Sequence, residues 1–220
     1  MPPAEQSGRA ATHRAALIWE AKAELRTALR LRRAVRTPAE RHDGDAGRLA
    51  ALIGLLEPAL AARQLGMVAT YFSRPDEPDT LQLIAWLAAH DVPALLPVVS
   101  AAAPSWALYT GPDALRIGRH QITEPTSAPL GAAGLGAAAV VICPALAVSR
   151  TGARLGQGSG WFDRALDHAR PDVVTAALVD DDEVLGSVPT ELHDHRMDMI
   201  ITGTQVLNAH EPAQRDSPPG

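Results

Sequence analysis

The sequence predicts a doubly wound α/β fold, in which helices flank a mostly parallel sheet. Short apolar runs typical of buried strands alternate with helix-forming segments, which is the pattern of parallel βαβ units. One such run, residues 140–143, precedes the glycine-rich segment 154–164 (RLGQGSGWFDR), and helix-forming residues follow it. Ligands of such sheets bind at the carboxyl ends of the strands, so we expect a ligand site at this segment.

Length and composition indicate a single domain. At 220 residues the chain is long enough to bury a substantial core. We expect that domain over residues 12–207, with a flexible N-terminal tail at 1–11 and a disordered C-terminal tail at 208–220. A formal charge of −5 argues against a general nucleic-acid binder. The lone Cys143 rules out a disulfide framework, and we expect it to be a small buried hydrophobe.

Residues 130–148 carry no charge and raise the question of a membrane span. Their many glycines and alanines, with Pro144, make the stretch weakly hydrophobic, so a buried strand followed by a loop explains it better. The N-terminus has no apolar signal-peptide core, and Glu5, Glu20 and Glu24 argue against a transit peptide. We expect a soluble cytoplasmic protein without a membrane partner.

Local patterns predict the helices and strands in order. A helix is expected from about Arg14 to Arg36, then a charged connection at 37–47, and a second helix at 48–62 that Pro58 interrupts or ends. Thr80 can cap a helix that ends near His90. Strands are expected at 67–72, 94–99, 106–109, 140–143, 173–179 and 199–202, with loops at 122–129 and 188–198 and a solvated acidic turn at 180–183.

Four cations share one face of the first predicted helix: Lys22, Arg26, Arg30 and Arg33. Like charges one turn apart repel each other weakly. Such a face is either solvated or balanced by a bound anion, and the residues alone favour a solvated face.

The glycine-rich segment has the features of an anion site. Gly156, Gly158 and Gly160 leave backbone N–H groups accessible, and a helix starting at about Phe162 or Asp163 would direct its positive end to the same place. The alternative is a flexible connection in which an arginine bonds to loop carbonyls. The segment matches neither the Walker A motif nor the dinucleotide-binding motif, because the latter requires Gly or Ala where Trp161 stands.

A zinc site is not expected. His193 and His195 lie near Asp194 and Asp198, but no further His or Cys stands at ligand spacing.

The segment 154–164 resembles the R-L-G-x-G-x-G-[YF]-[YF]-D-R loop of the 5-formyltetrahydrofolate cyclo-ligases, also called 5,10-methenyltetrahydrofolate synthetases. Four further segments are similar to motifs of that family, in the same order. They are Lys22-Ala-Glu-Leu-Arg26, Glu77-Pro-Asp-Thr80, Gln121-Ile-Thr-Glu-Pro125, and Val188-Pro-Thr-Glu-Leu-His-Asp194 with Ile200-Ile-Thr202. The resemblance spans about residues 20–205.

This resemblance implies a cyclo-ligase type of α/β fold and a reaction that depends on ATP and Mg²⁺. In the family, the formyl oxygen of 5-formyltetrahydrofolate attacks the γ-phosphate of ATP. N10 then closes on the activated carbon and phosphate leaves, giving 5,10-methenyltetrahydrofolate and ADP. Such chemistry needs positioning and electrostatic stabilisation more than a protein nucleophile.

The resemblance also implies roles for individual residues. Lys22 and Arg26 would neutralise the ATP phosphates, which replaces the solvated-face interpretation of that helix. Glu77 and Phe72 would contact the folate, and Trp161 and Phe162 would form a wall beside the pterin. Lys22, Arg154 and Glu77 are the expected catalytic residues. The ATP cradle would consist of Arg154, Gly156, Gln157, Gly158, Ser159, Gly160 and Trp161, and the Mg²⁺ ligand would be Asp163, with Asp194 as a second candidate.

The sequence departs from the family pattern in two places. Trp161-Phe162 replaces a pair that usually contains tyrosine, and Ser159 stands where many members have Lys or Gly. These changes keep open a non-catalytic paralogue that binds folate or nucleotide. A sugar-phosphate isomerase or acyl-CoA enzyme on a related scaffold is another alternative, and it would act without ATP. We expect a monomer, with the preference for polyglutamylated folate open.

Overall fold

The computed structural model describes residues 3–99, 103–191 and 193–209. Within them the helices are α1 (Pro3–Ala34), α2 (Pro38–Ala61), α3 (Leu81–Ala89) and α4 (Trp161–Leu166). The strands are β1 (Met67–Ala69), β2 (Ala94–Pro97), β3 (Trp106–Leu108), β4 (Leu115–Ile117), β5 (Thr123–Pro125), β6 (Ala138–Pro144), β7 (Ala147–Ser149), β8 (Arg154–Leu155), β9 (Val174–Leu178), β10 (Val184–Leu185), β11 (Met199–Ile201) and β12 (Val206–Asn208).

A seven-stranded sheet with the order β12-β11-β9-β6-β1-β2-β3 forms the centre of the molecule. Its five inner strands are parallel, and β12 and β3 pair antiparallel at the two edges. Buried apolar side chains from α2 and α3 cover one face, and those from α4 cover the other. The predicted doubly wound, mostly parallel α/β fold is therefore confirmed. A smaller sheet, β10-β7-β8, lies beside it and packs against α1 through Leu29.

Helix α1 begins at Pro3, so the expected loose tail at 1–11 is wrong from residue 3 onward. The segment before the expected start is rich in alanine, glutamate, glutamine and arginine, which are good helix formers. They extend the helix toward its N-terminus. Residues 1, 2 and 210–220, which include most of the expected C-terminal tail, lie outside the described residues. The start of that tail is also wrong, because residue 208 ends strand β12.

Helix α2 begins ten residues earlier than the sequence pattern indicated, so the expected connection at 37–47 is wrong. Thr37 caps the helix: the Glu40 N–H donates to its hydroxyl at 3.2 Å, and the Thr37 N–H donates to the Glu40 carboxylate at 2.7 Å. This reciprocal pair is a capping box, and its T-x-x-E signature was present in the sequence. Pro58 lies within the last turn and does not interrupt the helix.

The acidic turn at 180–183 is not simply solvated, contrary to the prediction. Glu183 is fully buried and accepts two hydrogen bonds from the Arg33 guanidinium, at 2.7 and 2.8 Å. Arg36 donates to the same carboxylate at 3.0 Å, and Arg33 also donates to the Ala145 carbonyl at 2.6 Å. The turn therefore fastens the C-terminal end of α1 to the sheet.

The remaining differences concern short elements. Strand β5 lies in the expected loop at 122–129, and β4, β7, β8, β10 and β12 were not predicted. Strand β1 is shorter than the apolar run that contains it. Helix α3 follows Thr80 as expected, although the Thr80 hydroxyl donates to the Tyr71 carbonyl and makes no cap bond. Among the described helices, none combines the length and the hydropathy that a membrane crossing requires.

We predict that Glu183→Gln lowers the free energy of unfolding by about 3 kcal/mol, because it leaves the Arg33 charge buried without a counter-ion. Urea denaturation followed by circular dichroism measures the change. Asp172→Asn is the matched control, since it removes one carboxylate from the exposed Arg170–Asp172 ion pair and should change stability little. Equal effects of the two substitutions would contradict the structural role of Glu183.

Candidate active site

One cavity of about 750 Å³ lies at the carboxyl ends of the parallel strands β1, β2 and β6. Tyr71 follows β1, and Pro97 and Pro144 end β2 and β6; all three line it. This is the position at which doubly wound sheets bind ligands. Every residue that the sequence analysis selected for ATP, folate or metal also lines this cavity: Lys22, Arg26, Phe72, Glu77, Arg154, Gly156, Gln157, Gly158, Ser159, Gly160, Trp161, Phe162, Asp163 and Asp194.

Helix α1 lines the cavity with one stripe of side chains: Trp19, Lys22, Arg26 and Arg30. Lys22 is 5% exposed, so the solvated-face interpretation, which the residues alone favoured, is wrong for it. Arg33, the fourth cation of the predicted face, does not line the cavity, because it pairs with Glu183. The site thus receives three cations from α1.

The Lys22 ammonium binds two carboxylates from the segment before β11. Its Nζ lies 2.8 Å from Glu191 Oε2 and 2.6 Å from Asp194 Oδ2. Burial raises the pKa of Asp194, but the Lys22 hydrogen bond, the Glu191 backbone N–H, and the charges of Lys22 and His193 together lower it below its usual value. Because its pKa is lowered, the Asp194 carboxylate stays ionised at neutral pH and can bind a cation there.

The cluster Glu191, His193 and Asp194 brings three possible metal-ligand atoms within 4.8 Å of one another. Only one of them is a nitrogen, and the other two are carboxylate oxygens. Oxygen-rich sets suit hard cations such as Mg²⁺, and structural zinc sites prefer Cys and His. The expectation against zinc agrees with this donor set.

The glycine loop, residues 156–160, is tied to α1 by arginines. The Arg26 Nε donates to the Gly156 carbonyl at 2.9 Å, and Arg30 Nη2 donates to the Gln157 carbonyl at 2.9 Å. Gly158 has a φ of 114° and Gly160 a φ of 61°, which side-chain-bearing residues rarely adopt. Helix α4 begins at Trp161, slightly earlier than predicted, and ends at Leu166.

Arg154 is 5% exposed and orients Asp163 at the start of α4. Its Nη2 donates to Asp163 Oδ1 at 2.7 Å, and its Nη1 donates to the Pro144 carbonyl at 3.1 Å. A Cβ at position 156 would lie only 2.8 Å from Arg154 Nη1, so Gly156 allows the arginine to lie flat against the loop. Among the described residues, Arg154 Nε has no hydrogen-bond partner.

Arg26 is surrounded by charges from every side of the cavity. Burial lowers the pKa of its guanidinium and Arg30 adds to that effect, while Asp194, Glu191 and Asp163 oppose it, and the net pKa is lowered. Asp163 and Asp194, the two predicted metal ligands, are therefore both close enough to interact with the Arg26 charge.

Glu77 lies on the other side of the cavity and contacts the glycine loop. Its carboxylate accepts from the Arg74 backbone N–H at 3.1 Å, from Arg74 Nη2 at 3.2 Å and from Gln157 Nε2 at 3.3 Å. Its side chain is 8% exposed. Gln157 thus touches both Arg30 of the cationic stripe and Glu77.

An aromatic cluster forms one wall of the cavity. Trp161 and Phe162 pack edge-on with ring centroids 5.0 Å apart, and both contact the buried Trp106 at 5.1 and 5.9 Å. Phe72 lines the cavity as well. Within the described residues the Trp161 indole N–H is buried and has no hydrogen-bond partner.

Further residues that line the cavity were missed, among them Trp19, Tyr71 and Glu191. Trp19 stands one turn before Lys22, a spacing that could have identified it. Glu191 lies within the segment that we had compared with the family, where only Asp194 was selected. Tyr71 carries no motif in the sequence that would mark it as a site residue. In the structure its hydroxyl donates to the Pro78 carbonyl at 2.9 Å, and burial raises its pKa well above the usual value.

Comparisons with known proteins agree with this geometry. The model of the 5-formyltetrahydrofolate cyclo-ligase family matches residues 18–203. A 5-formyltetrahydrofolate cyclo-ligase of Mycolicibacterium smegmatis is 36% identical over 188 residues, which cover 82% of this chain and 93% of that protein.

Two solved structures show the same fold. The NMR structure of a 5,10-methenyltetrahydrofolate synthetase from Aquifex aeolicus superposes with a TM-score of 0.73 at 21% identity, covering 89% of this chain and 96% of that one. A synthetase of the same name from Mycoplasma pneumoniae gives a TM-score of 0.65 at 17% identity, covering 83% and 98%. With its motifs in one cavity and most of its length matched, the chain belongs to the 5-formyltetrahydrofolate cyclo-ligase family.

Proposed function

We propose that this protein converts 5-formyltetrahydrofolate to 5,10-methenyltetrahydrofolate, with ATP giving ADP and phosphate. One observation carries the proposal: the cationic stripe of α1 meets the glycine loop in a cavity that Glu77 and the aromatic wall also line. A polyanion and a planar, aromatic second substrate can therefore bind side by side. Family membership supports the same reaction.

Lys22 and Arg26 would bind the ATP phosphates, and Arg154 would do so from the loop side. Lys22 at present neutralises Glu191 and Asp194, so binding a phosphate requires the ammonium to exchange partners. Lysine suits this exchange, because its compact charge sits on a flexible stem and has three donors. Gly156, Gly158 and Gly160, with Gln157, Ser159 and Trp161, would bring backbone N–H groups close to the phosphate chain.

The residues present fit Mg²⁺. Glu191 and Asp194 already direct oxygens at one cationic position, which the Lys22 ammonium occupies, and Asp163 supplies a third carboxylate near Arg26. Asp194 would hold the ion with Glu191 beside it. Asp163 lies outside that cluster and bonds to Arg154, so it would join them as a ligand by exchanging this partner. Bound there, Mg²⁺ would supply positive charge against the phosphate oxygens.

Glu77, Phe72, Trp161 and Phe162 would bind the folate. Planar rings bind well against aromatic side chains. Glu77 is fixed by Arg74 and by Gln157, so it can hold the folate with N10 facing the formyl carbon. Its contact with Gln157 would link the folate position to the phosphate cradle.

Catalysis in this site would rest on orientation and charge. The bound ATP supplies the phosphoryl group that makes the formyl oxygen a leaving group. Lys22, Arg26 and Arg154 would stabilise charge that develops on the phosphate oxygens. Cys143 is no nucleophile, since burial raises its pKa to about 12 and keeps the thiol neutral. We propose that the protein acts as a cytoplasmic monomer on free or polyglutamylated 5-formyltetrahydrofolate.

The direct test is the absorbance of the methenyl product. With 5-formyltetrahydrofolate, ATP and Mg²⁺ present, we expect product to form, and omission of ATP or Mg²⁺ should abolish it. Folded protein that binds ATP but forms no product would instead indicate the non-catalytic paralogue. Turnover without any nucleotide would favour the isomerase or acyl-CoA alternative.

Lys22→Ala and Arg154→Ala should each raise the KM for ATP roughly tenfold to hundredfold, because each removes a charged hydrogen bond to phosphate. Steady-state kinetics with varied ATP measures this. Arg32→Ala is the matched control, since Arg32 also lies on α1 but pairs with the exposed Asp182 outside the cavity. Unchanged KM for ATP in both site variants would refute this placement of the nucleotide.

Asp163→Asn should shift the Mg²⁺ titration of activity to higher concentrations, because an amide is a weaker ligand than a carboxylate for a hard cation. Asp167→Asn serves as its control, because Asp167 lies one turn further on and outside the cavity. A Mg²⁺ titration of Asp163→Asn that overlays the wild-type curve would exclude Asp163 as a metal ligand.

A further inference from the structure

Trp19 is the only described residue of α1 that is both a large exposed hydrophobic side chain and part of the cavity wall. It is 65% exposed, whereas Trp106 and Trp161 are buried in the core. Leu17 and Leu31, at 52% and 66% exposure, lie on the same helix but do not line the cavity. Exposing the apolar face of an indole to water is unfavourable in free energy. A flat ligand that stacks on the indole covers this face and removes the unfavourable exposure.

The position of Trp19 in the stripe relates it to the proposed phosphate cations. It precedes Lys22 by three residues and Arg26 by seven, so the three side chains lie on one helix face. At 1.5 Å per residue, Trp19 lies about 4.5 Å from Lys22 and about 10 Å from Arg26 along the helix axis. An aromatic surface next to a row of cations matches a molecule that has a planar base at one end and phosphates at the other.

Trp19 is separate from the aromatic wall of Trp161 and Phe162 that is proposed to bind the folate. Trp161 and Phe162 pack into the core with Trp106, on the side of the glycine loop. Trp19 lies on the helix that faces that loop, on the side of Lys22 and its partner carboxylates. The cavity thus has two separate aromatic surfaces, Trp19 on α1 and the wall of Trp161 and Phe162, one for each planar substrate.

We propose that Trp19 is the stacking surface for the nucleobase of ATP, an inference that rests on the proposed ATP-dependent function. Stacking uses the π-face that every base has, so Trp19 supplies affinity for the base without selecting adenine. The phosphates extend from Trp19 toward Lys22 and Arg26. Trp19 is then a binding residue that stabilises bound ATP equally in the ground state and in the transition state. Its loss should therefore raise KM for ATP and leave kcat unchanged.

The test compares ligands that share phosphates but differ in the base. Calorimetry in the presence of Mg²⁺ measures the dissociation constants of ATP, GTP and inorganic tripolyphosphate for wild type, Trp19→Ala, Trp19→Phe and Leu31→Ala. Trp19→Ala should weaken ATP and GTP alike, roughly fivefold to hundredfold, and leave tripolyphosphate unchanged. Trp19→Phe should retain most of the ATP affinity, and Leu31→Ala, the matched exposed residue of α1, should behave as wild type.

Several results would overturn the inference. Unchanged ATP affinity in Trp19→Ala would exclude stacking, and an equal loss for tripolyphosphate would show that Trp19 only places Lys22. A wild-type protein that binds neither ATP nor tripolyphosphate would refute the ATP-dependent function and this inference together. Wild-type ATP binding that Trp19→Ala leaves intact would refute this inference alone.

Discussion

Buried ion pairs hold helix α1 in place, and the candidate site depends on them. The buried side chains of its described part are Lys22, Leu29 and Arg33, so the helix has only a narrow apolar contact with the small sheet. Arg33 is fixed by Glu183, and Lys22 by Glu191 and Asp194. Because a buried charge without its partner is costly, these pairs define one position of α1 along and around its axis. That position determines where the cationic stripe meets the glycine loop.

The two ends of this attachment differ in chemistry. Arg33 forms a bidentate, fully buried pair with Glu183 and makes a further bond to the Ala145 carbonyl, so it is an anchor with no access to the cavity. Lys22 is a point charge at the cavity wall and can change partners without moving the helix. One end can therefore stay fixed while the other responds to ligand. Arginine thus stands at the rigid end of this attachment, and lysine at the end where the proposed phosphate binding requires an exchange of partners.

Much of this could be predicted from the sequence, because it rests on local patterns. Apolar runs located the parallel strands, and spaced motifs located residues that do line a single cavity. The start of α2 was also readable, since Thr37 and Glu40 form a local capping box that was overlooked. The role of Glu183 was not readable. Its partner Arg33 is 150 residues away, and its acidic neighbours Asp181 and Asp182 make the turn look solvated.

Within the site, the sequence patterns identified residues that line the cavity but did not show which of them bond to each other. Arg154 and Asp163 were assigned separately to phosphate and metal, yet they bond to each other, so a change in one alters the other. Gln157, selected only for the ATP cradle, touches both Arg30 and Glu77. The short loop thus contacts both the cationic stripe and the Glu77 carboxylate. If a bound phosphate chain displaced the loop backbone, the Gln157 side chain would transmit the movement to Glu77. This contact is a physical route by which binding of one proposed substrate could alter binding of the other.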